Sequence, residues 1–192
     1  MTNLNTMYGV ELHENSDLYS LQWFTSNFLT SERGFTNVRI ANEKMEPTDL
    51  TATKNNKNYG FEIKRRIYLS DQFNDNICPT SKLEDAANYD EYWLISLYAD
   101  GKMFFNDVKR EEPICTALMT TPFGQEREWE KNRSYSRQNV LWDKHHDKFI
   151  SFPPSELYDQ TEIEAAQKKY QFKIQKDMER WNATNSEFSP FV

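Results

Sequence analysis

Hydrophobic and polar positions along the chain follow a helical period first and an extended period next. Apolar residues at helical spacing predict a first helix from about residue 15 to residue 30, with Asn15 or Ser16 as its N-cap. The apolar positions of this helix are Leu18, Leu21, Phe24 or Thr25, and Phe28. Beyond Gly34, alternating residues between Thr36 and Ala41 predict a first strand.

Two further apolar segments flank the run Asn55-Asn56-Lys57-Asn58, which has turn composition because asparagine tolerates positive φ. We therefore predict a β-hairpin with its turn centred between Asn56 and Lys57. This register pairs Asp49 with Lys64, Leu50 with Ile63, Thr51 with Glu62, and Ala52 with Phe61. Paired residues share a face of the sheet, so the four polar residues are expected on one face and the four apolar residues on the other.

The rest of the pattern predicts five more elements. Ser81, with Glu84 three residues later, is a capping-box signature and begins a helix that extends to about Tyr89. Aromatic and branched residues predict strands at 92–98, 102–108 and 148–152. A second capping box, Thr161 with Glu164, begins a long amphipathic C-terminal helix. The apolar stripe of this helix consists of Ile163, Ala166, Tyr170, Ile174, Met178 and Trp181.

The polar face of the predicted hairpin is the main candidate for chemistry. In the predicted register Asp49 and Glu62 are diagonal neighbours, roughly 7–8 Å apart at the backbone, so one hard cation fits between their carboxylates. Mg²⁺ prefers oxygen ligands and retains several waters, so two carboxylates and a phosphate oxygen suffice. Such a cation acidifies a water, and Lys64 would orient that water and stabilise negative charge on the phosphate.

These residues resemble the PD-(D/E)xK nuclease superfamily, whose motif stands here as Pro47-Thr48-Asp49 followed by Glu62-Ile63-Lys64. Thr48 separates Pro47 from Asp49, so the literal Pro-Asp dipeptide is absent. The resemblance implies an α/β, restriction-endonuclease-like core in the order helix, three strands, helix, strand. It also implies DNA as substrate and a site for Mg²⁺, with Mn²⁺ as a substitute, held by Asp49, Glu62 and the backbone carbonyl of Ile63.

Members of this superfamily often add a carboxylate from the first helix, and Glu14 is our candidate because it lies four residues before Leu18. Glu11 and Asp17 are rivals on nearly the same face. The alternative interpretation of Glu14 is a solvated or capping acid that is favoured by the helix dipole.

Basic residues around the motif predict a surface for a polyanion. The span from Lys54 to Arg66 carries five basic residues and the single acid Glu62. The candidate nucleic-acid contacts are Lys54, Lys57, Arg65, Arg66 and Lys82. A solvated lysine at a helix start is the alternative for Lys82. Farther along, residues 125–139 mix basic and aromatic side chains, which can hold phosphates and stack bases. Acidic residues in the same stretch favour the alternative of a solvated helix or loop.

Length and composition limit the organisation of the chain. The 192 residues predict one nuclease-like domain over 1–160, with its core at about 14–108, and a C-terminal helix and tail over 161–192. The net charge of −7 argues against a protein that coats nucleic acid indiscriminately. No long apolar run predicts a membrane segment or secretion, and Cys78 and Cys115 form no CxxC pair. We therefore expect a cytoplasmic protein with reduced thiols, of a bacterial or phage accessory kind.

Three hypotheses for function follow. The first is a Mg²⁺-dependent deoxyribonuclease in which Asp49 and Glu62 bind the metal, Lys64 assists the attacking water, and Glu14 contributes. The second is a non-catalytic nucleic-acid-binding or protein-assembly module on the same fold, with a homodimer or protein partner held through the C-terminal helix. The third treats Asp49 and Lys64 as a cross-strand ion pair without catalytic meaning. A metal role for His145-His146-Asp147 is disfavoured, because adjacent histidines in a strand point to opposite faces.

Overall fold

The computed structural model describes residues 17–41, 48–112, 115–120, 136–144 and 149–186. These residues form a mixed α/β fold with three α-helices and nine strands. In chain order they are α1 (17–28), β1 (Thr36–Ile40), β2 (Leu50–Lys54), β3 (Lys57–Arg66), β4 (Asp75–Pro79), α2 (Ser81–Ala86), β5 (Glu91–Tyr98), β6 (Lys102–Asp107), β7 (Cys115–Thr120), β8 (Ser136–Asp143), β9 (Phe149–Ser151) and α3 (Gln160–Ser186).

The strands of the described residues form two sheets. The main sheet has the order β1-β2-β3-β5-β6-β9, and the small sheet has the order β4-β8-β7. In the main sheet β3 and β5 run parallel, and the other neighbouring strands are antiparallel. The parallel crossover from β3 to β5 contains β4 and α2. This connection therefore brings α2 and part of the small sheet onto the main sheet.

One face of the main sheet packs against α1 and the beginning of α3. Phe24 of α1 and Ala166 of α3 join the buried residues Phe61, Ile63 and Ile95 in the larger hydrophobic cluster. Leu50 and Ala52 belong to the same cluster, so the four residues predicted for the apolar face of the hairpin all lie in the core. Leu18, which was predicted for the inward stripe of α1, is instead 45% exposed.

The opposite face of the main sheet packs against α2 and the small sheet. Tyr92 and Leu94 of β5 form a second cluster with Cys78 of β4, Ala86 of α2 and Trp142 of β8. Buried polar groups hold β4 in this position. Their hydrogen bonds link Asn76 Nδ2 to Asn106 Oδ1 (2.6 Å), Ser96 Oγ to Asn76 Oδ1 (2.8 Å), and an Arg66 guanidinium nitrogen to the Ile77 carbonyl (2.6 Å).

The capping box of helix α3 lies two residues earlier than predicted. Asp159, rather than Thr161, accepts a hydrogen bond from the Glu162 N–H at 2.8 Å, and Glu162 accepts one from the Asp159 N–H at 3.1 Å. The capping box is thus formed by Asp159 and Glu162. The first half of the predicted stripe packs on the domain, but Ile174, Met178 and Trp181 are 42%, 61% and 69% exposed.

The other predicted elements agree with the structure in part. The strands predicted at 36–41, 92–98, 102–108 and 148–152 are present as β1, β5, β6 and β9. Residues 136–139 belong to β8, although a helix or loop was predicted there. The histidine pair at 145 and 146 lies outside the described residues. No helix that the structure describes has both the length and the apolar character needed to cross a membrane.

Candidate active site

The hairpin β2–β3 has a register that differs from the predicted one by two residues. Leu50 pairs with Phe61 and Lys54 pairs with Lys57, so the turn consists of two residues only. Asn55 and Asn56 form it, with φ angles of 51° and 59°. Two consecutive positive φ values characterise a type I′ turn, which matches the twist of a two-residue hairpin.

This register leaves the predicted faces unchanged, because a shift of two residues is one full period of a strand. Continuing the observed pairing by one position beyond Leu50 and Phe61 brings Asp49 directly opposite Glu62. The predicted register, with its diagonal relation between the two acids, was therefore wrong, because Thr51 pairs with Gly60 rather than with Glu62. The side chains of Asp49 and Lys64 nevertheless form the predicted ion pair, with 3.9 Å between Oδ2 and Nζ. Asp49, just before β2, is thus expected at the level of Glu62 on β3.

Asp49 lies in a bend immediately before β2 and is held by the adjacent strand. Its Oδ2 accepts a hydrogen bond from the Ile63 N–H at 2.8 Å and lies 3.9 Å from Lys64 Nζ. Burial raises the pKa of Asp49 to about 6, and the nearby Glu62 adds to this shift, whereas Lys64 opposes it. The protein therefore holds the Asp49 carboxylate in a position where its negative charge is unfavourable without a further cation.

Glu62 is the most buried member of the site, with 1% of its surface exposed. Its Oε1 forms an ion pair with Lys64 Nζ, and its Oε2 lies 2.8 Å from Lys82 Nζ. The buried Cys78 thiol lies close enough to Glu62 for the carboxylate to influence it, and burial followed by this charge raises the Cys78 pKa to about 12. Cys78 is therefore a protonated thiol at neutral pH, and Glu62 depends on the two lysines for compensation.

Lys64 lies between the two acids. Burial lowers its pKa, but the charges of Glu62 and Asp49 more than offset burial, so the Lys64 pKa lies above its ordinary value. The side chain is one-third exposed, so the ammonium is accessible from solvent. It can therefore donate hydrogen bonds to a water or a phosphate oxygen, but in this state it does not accept a proton.

A small cleft opens beside these residues, between the hairpin and α1. It is lined by Asp17, Ser20, Leu21, Asp49, Ile63, Lys64 and Arg65. Among the predicted first-helix acids, Asp17 thus lies in the same cleft as Asp49 and Lys64. Glu14 and Glu11 lie outside the described residues.

The predicted nucleic-acid contacts are dispersed in the structure. Lys54 lies over the Phe35 ring at 4.7 Å, and Lys57 pairs with Glu91 at 2.9 Å, both beside the hairpin turn. Arg65 and Arg66 lie at the other end of β3, roughly 30 Å away at about 3.3 Å per residue. The basic residues of this part of the sequence therefore do not form a single positively charged patch.

Arg65 and Arg66 have structural partners. The Arg65 side chain is 5% exposed, donates hydrogen bonds to the Leu157 carbonyl, and pairs with Glu162 at 2.5 Å. Its guanidinium also lies 4.2 Å from the centre of the Tyr158 ring. Arg66 binds the carbonyl of Ile77. These contacts hold α3 and β4 against the main sheet, and DNA contact by either arginine stays a prediction.

The structure gives Lys82 contacts that the sequence did not predict. Lys82 was predicted as a phosphate contact, but its Nζ lies between Glu62 and Asp85, 2.8 Å and 3.6 Å away. Asp85 follows Lys82 by three residues on α2, which is the spacing of neighbours on one helix face. That spacing was a usable signal for the Lys82–Asp85 pair. The contact with Glu62 had no local signal, because it depends on how α2 packs.

The donor set fits a hard divalent cation. Within the described residues, no three His, Cys, Asp or Glu side chains cluster closely enough to hold an ion alone. Two carboxylates nevertheless suffice for Mg²⁺ when waters and a phosphate complete the shell. The buried Glu62 Oε2 makes no hydrogen bond of good geometry, and the contacts of Asp49 with Ile63 and Lys64 both use Oδ2. In the described part of the chain, Asp49 Oδ1 thus remains for a ligand.

Comparison of the sequence with models of known protein families and with curated proteins gives no match. Among solved structures, the chain is similar to the 1.6 Å structure of Hjc, a Holliday junction resolvase from the hyperthermophilic archaeon Archaeoglobus fulgidus. The similarity covers 64% of this chain and 86% of that chain, with 15% sequence identity and a TM-score of 0.37.

Proposed function

We propose that this chain is a metal-dependent nuclease that hydrolyses DNA phosphodiester bonds on a restriction-endonuclease-like core. The observation that carries the proposal is the convergence of Asp49, Glu62 and Lys64 at one end of the β2–β3 hairpin. The Asp49 carboxylate is fixed by the Ile63 N–H and faces Glu62 across the strand pair, and Lys64 pairs with both acids. DNA as the substrate class follows from the resemblance of the motif to the PD-(D/E)xK superfamily.

The charge state of Asp49 supports a role for a cation. Burial raises the pKa of the Asp49 carboxyl group to about 6, so this group is ionised at neutral pH, but its negative charge is less stable there than in water. A divalent cation bound by Asp49 and Glu62 would relieve this cost, and it would supply water activation and neutralisation of phosphate charge. The backbone hydrogen bond from Ile63 fixes one oxygen of Asp49, which orients the carboxylate before a ligand arrives.

Lys64 orients the attacking water and stabilises negative charge on the phosphate, and it does not remove a proton. Its raised pKa keeps the ammonium charged at neutral pH. Its partly exposed position beside the cleft allows it to donate a hydrogen bond to the attacking water or to a non-bridging phosphate oxygen. This donation strengthens as negative charge develops on the phosphate, so it accelerates the reaction.

The test is an incubation of the purified protein with linear, circular, single-stranded and branched DNA, with and without Mg²⁺. We expect Mg²⁺-dependent cleavage that falls at least about a hundredfold in Glu62→Gln and in Lys64→Met. Lys102→Met is the matched control, because Lys102 is also an ion-paired lysine but contacts Asp100 on another part of the sheet. Cleavage that persists unchanged in both site variants would refute the assignment.

A second candidate function is a non-catalytic assembly module, and the exposed stripe of α3 favours it. Ile174, Met178 and Trp181 continue the line of residues that packs on the domain, yet each is more than 40% exposed. Apolar residues in this arrangement often contact another protein. Absence of Mg²⁺ binding by calorimetry, combined with self-association in sedimentation velocity that Trp181→Ala abolishes, would favour this function over the nuclease.

A further inference from the structure

Lys82 is a charged neighbour of the site that the proposed reaction does not use. It lies on α2, whereas Asp49, Glu62 and Lys64 belong to the β2–β3 hairpin region. Its Nζ is 2.8 Å from Oε2 of the buried Glu62, and its side chain is only 16% exposed. A second element of the fold thus brings a positive charge to the carboxylate oxygen that would face a metal.

The two ammonium groups beside the carboxylates already compensate both of them. Asp49 and Glu62 contribute two negative charges when ionised, Lys64 and Lys82 contribute two positive charges, and Asp85 adds a third negative charge beside Lys82. A divalent cation placed between the carboxylates would lie close to the Lys82 ammonium in a poorly solvated position, and repulsion between the two cations is unfavourable. Binding of such a cation therefore requires one ammonium group to withdraw, and Lys64 is tied to both acids.

Lys82 has an alternative acceptor that allows withdrawal. Asp85 lies one helical turn farther along α2, and its Oδ2 is 3.6 Å from Lys82 Nζ. The Asp85 side chain is 21% exposed, so an ammonium group that moves toward it gains both a counter-ion and contact with water. Release of Glu62 by Lys82 thus leaves no unpaired charge in the interior.

We propose that Lys82 is a built-in counter-ion of Glu62, which a divalent cation displaces toward Asp85 when it binds. Lys82 thereby sets the cation concentration at which the site fills. This inference rests on the proposed nuclease function, because it concerns the metal at that same site. Lys82 is in this view a positioning residue, and removal of its charge strengthens metal binding.

The experiment is calorimetric titration of the metal-free protein with Mg²⁺, with no DNA present. We expect Lys82→Met to bind Mg²⁺ at least about tenfold more tightly than the unmodified protein, because the competing charge is gone. Lys102→Met, which removes a surface lysine paired with Asp100, is expected to leave the affinity unchanged. Equal or weaker Mg²⁺ binding in Lys82→Met overturns the inference.

A second variant tests the displacement route and serves also if Lys82→Met does not fold. Asp85→Asn removes the alternative acceptor, so we expect weaker Mg²⁺ binding and a smaller rise in melting temperature on Mg²⁺ addition. In the double variant with Lys82→Met this effect is expected to disappear, because no ammonium remains to be relocated. An undiminished effect in the double variant would show that Asp85 acts on the metal by its own charge, and this overturns the proposed route.

The outcomes separate the inference from the proposed function. Mg²⁺ binding that Asp49→Asn abolishes, together with unchanged affinity in Lys82→Met, leaves the nuclease proposal standing and refutes the role of Lys82. Absence of Mg²⁺ binding in the unmodified protein and in Lys82→Met refutes both. Binding that appears only in Lys82→Met supports both, since the site is then competent and the lysine is what blocks it.

Discussion

Replacement of Asp49 by asparagine is predicted to stabilise the metal-free protein at neutral pH. Burial raises the pKa of Asp49 from 3.8 to about 6, so the folded protein binds a proton here more tightly than the unfolded chain does. Stability from this group is complete below pH 3.8 and is lost as the pH rises through 6. Above that pH the charged carboxylate costs free energy, whereas asparagine resembles the neutral form and can still accept the Ile63 hydrogen bond.

The magnitude follows from the size of the shift. A change of roughly two pKa units corresponds to about 3 kcal/mol at most. Asp49 is 29% exposed, and solvent screening reduces this upper value, so we expect about 1–2 kcal/mol. For a domain of this size that difference raises the melting temperature by roughly 2–8 °C.

The assay is urea denaturation of both proteins in chelator at several pH values between 4 and 8. The stability advantage of Asp49→Asn is expected to grow from near zero at pH 4 to its full value above pH 7. Asp177→Asn is the control. Asp177 is exposed on α3, and its hydrogen bond with Lys173 lowers its pKa, which is opposite in direction to the shift of Asp49. An Asp49→Asn protein that is less stable than the unmodified one at pH 7.5, or whose advantage does not change with pH, would refute the reasoning.

Three further substitutions test contacts elsewhere in the fold. Arg65→Ala is expected to destabilise the protein by about 3 kcal/mol in urea denaturation, because Glu162 loses its ion pair with the Arg65 side chain, which is only 5% exposed. A loss below about 1 kcal/mol would show that this ion pair does not hold α3. Gly60→Ala is expected to cost about 1–3 kcal/mol in the same assay, since a Cβ there would lie 2.6 Å from a Tyr92 ring carbon, and an unchanged midpoint would contradict this contact. Trp181→Ala, at a side chain that is 69% exposed, is expected to change stability by less than about 0.5 kcal/mol, and a larger, concentration-dependent loss would reveal a buried partner contact.

Local patterns were sufficient to predict the elements on which the candidate site is built. The apolar faces of α1 and of the hairpin, and the buried run of β5, are local properties of consecutive residues. The register of the hairpin was not determined by these patterns, because registers that differ by two residues give the same alternation. The conformation of Asn55 and Asn56 decides between them, and the polar run of four residues allowed more than one turn.

Contacts between distant segments were beyond prediction. The strand β4 pairs with β8, whose residues follow it by about sixty positions, and its short segment Asp75–Pro79 ends in proline. The approach of Lys82 to Glu62 depends on that pairing, because α2 follows β4 directly. The side chains that surround Glu62 therefore come from tertiary packing, whereas Asp49, Glu62 and Lys64 belong to one local hairpin.

The two-residue turn at Asn55 and Asn56 has a consequence for how related sequences can vary. Asp49 and Glu62 are thirteen positions apart, and they face each other because the same number of residues separates each from the turn. Lengthening both strands by one residue preserves this relation, but a single insertion in one strand turns one of the acids to the opposite face. Hairpins of this design can thus differ in length while the spacing between the two acids remains an odd number, and a search that demands one constant spacing would miss them.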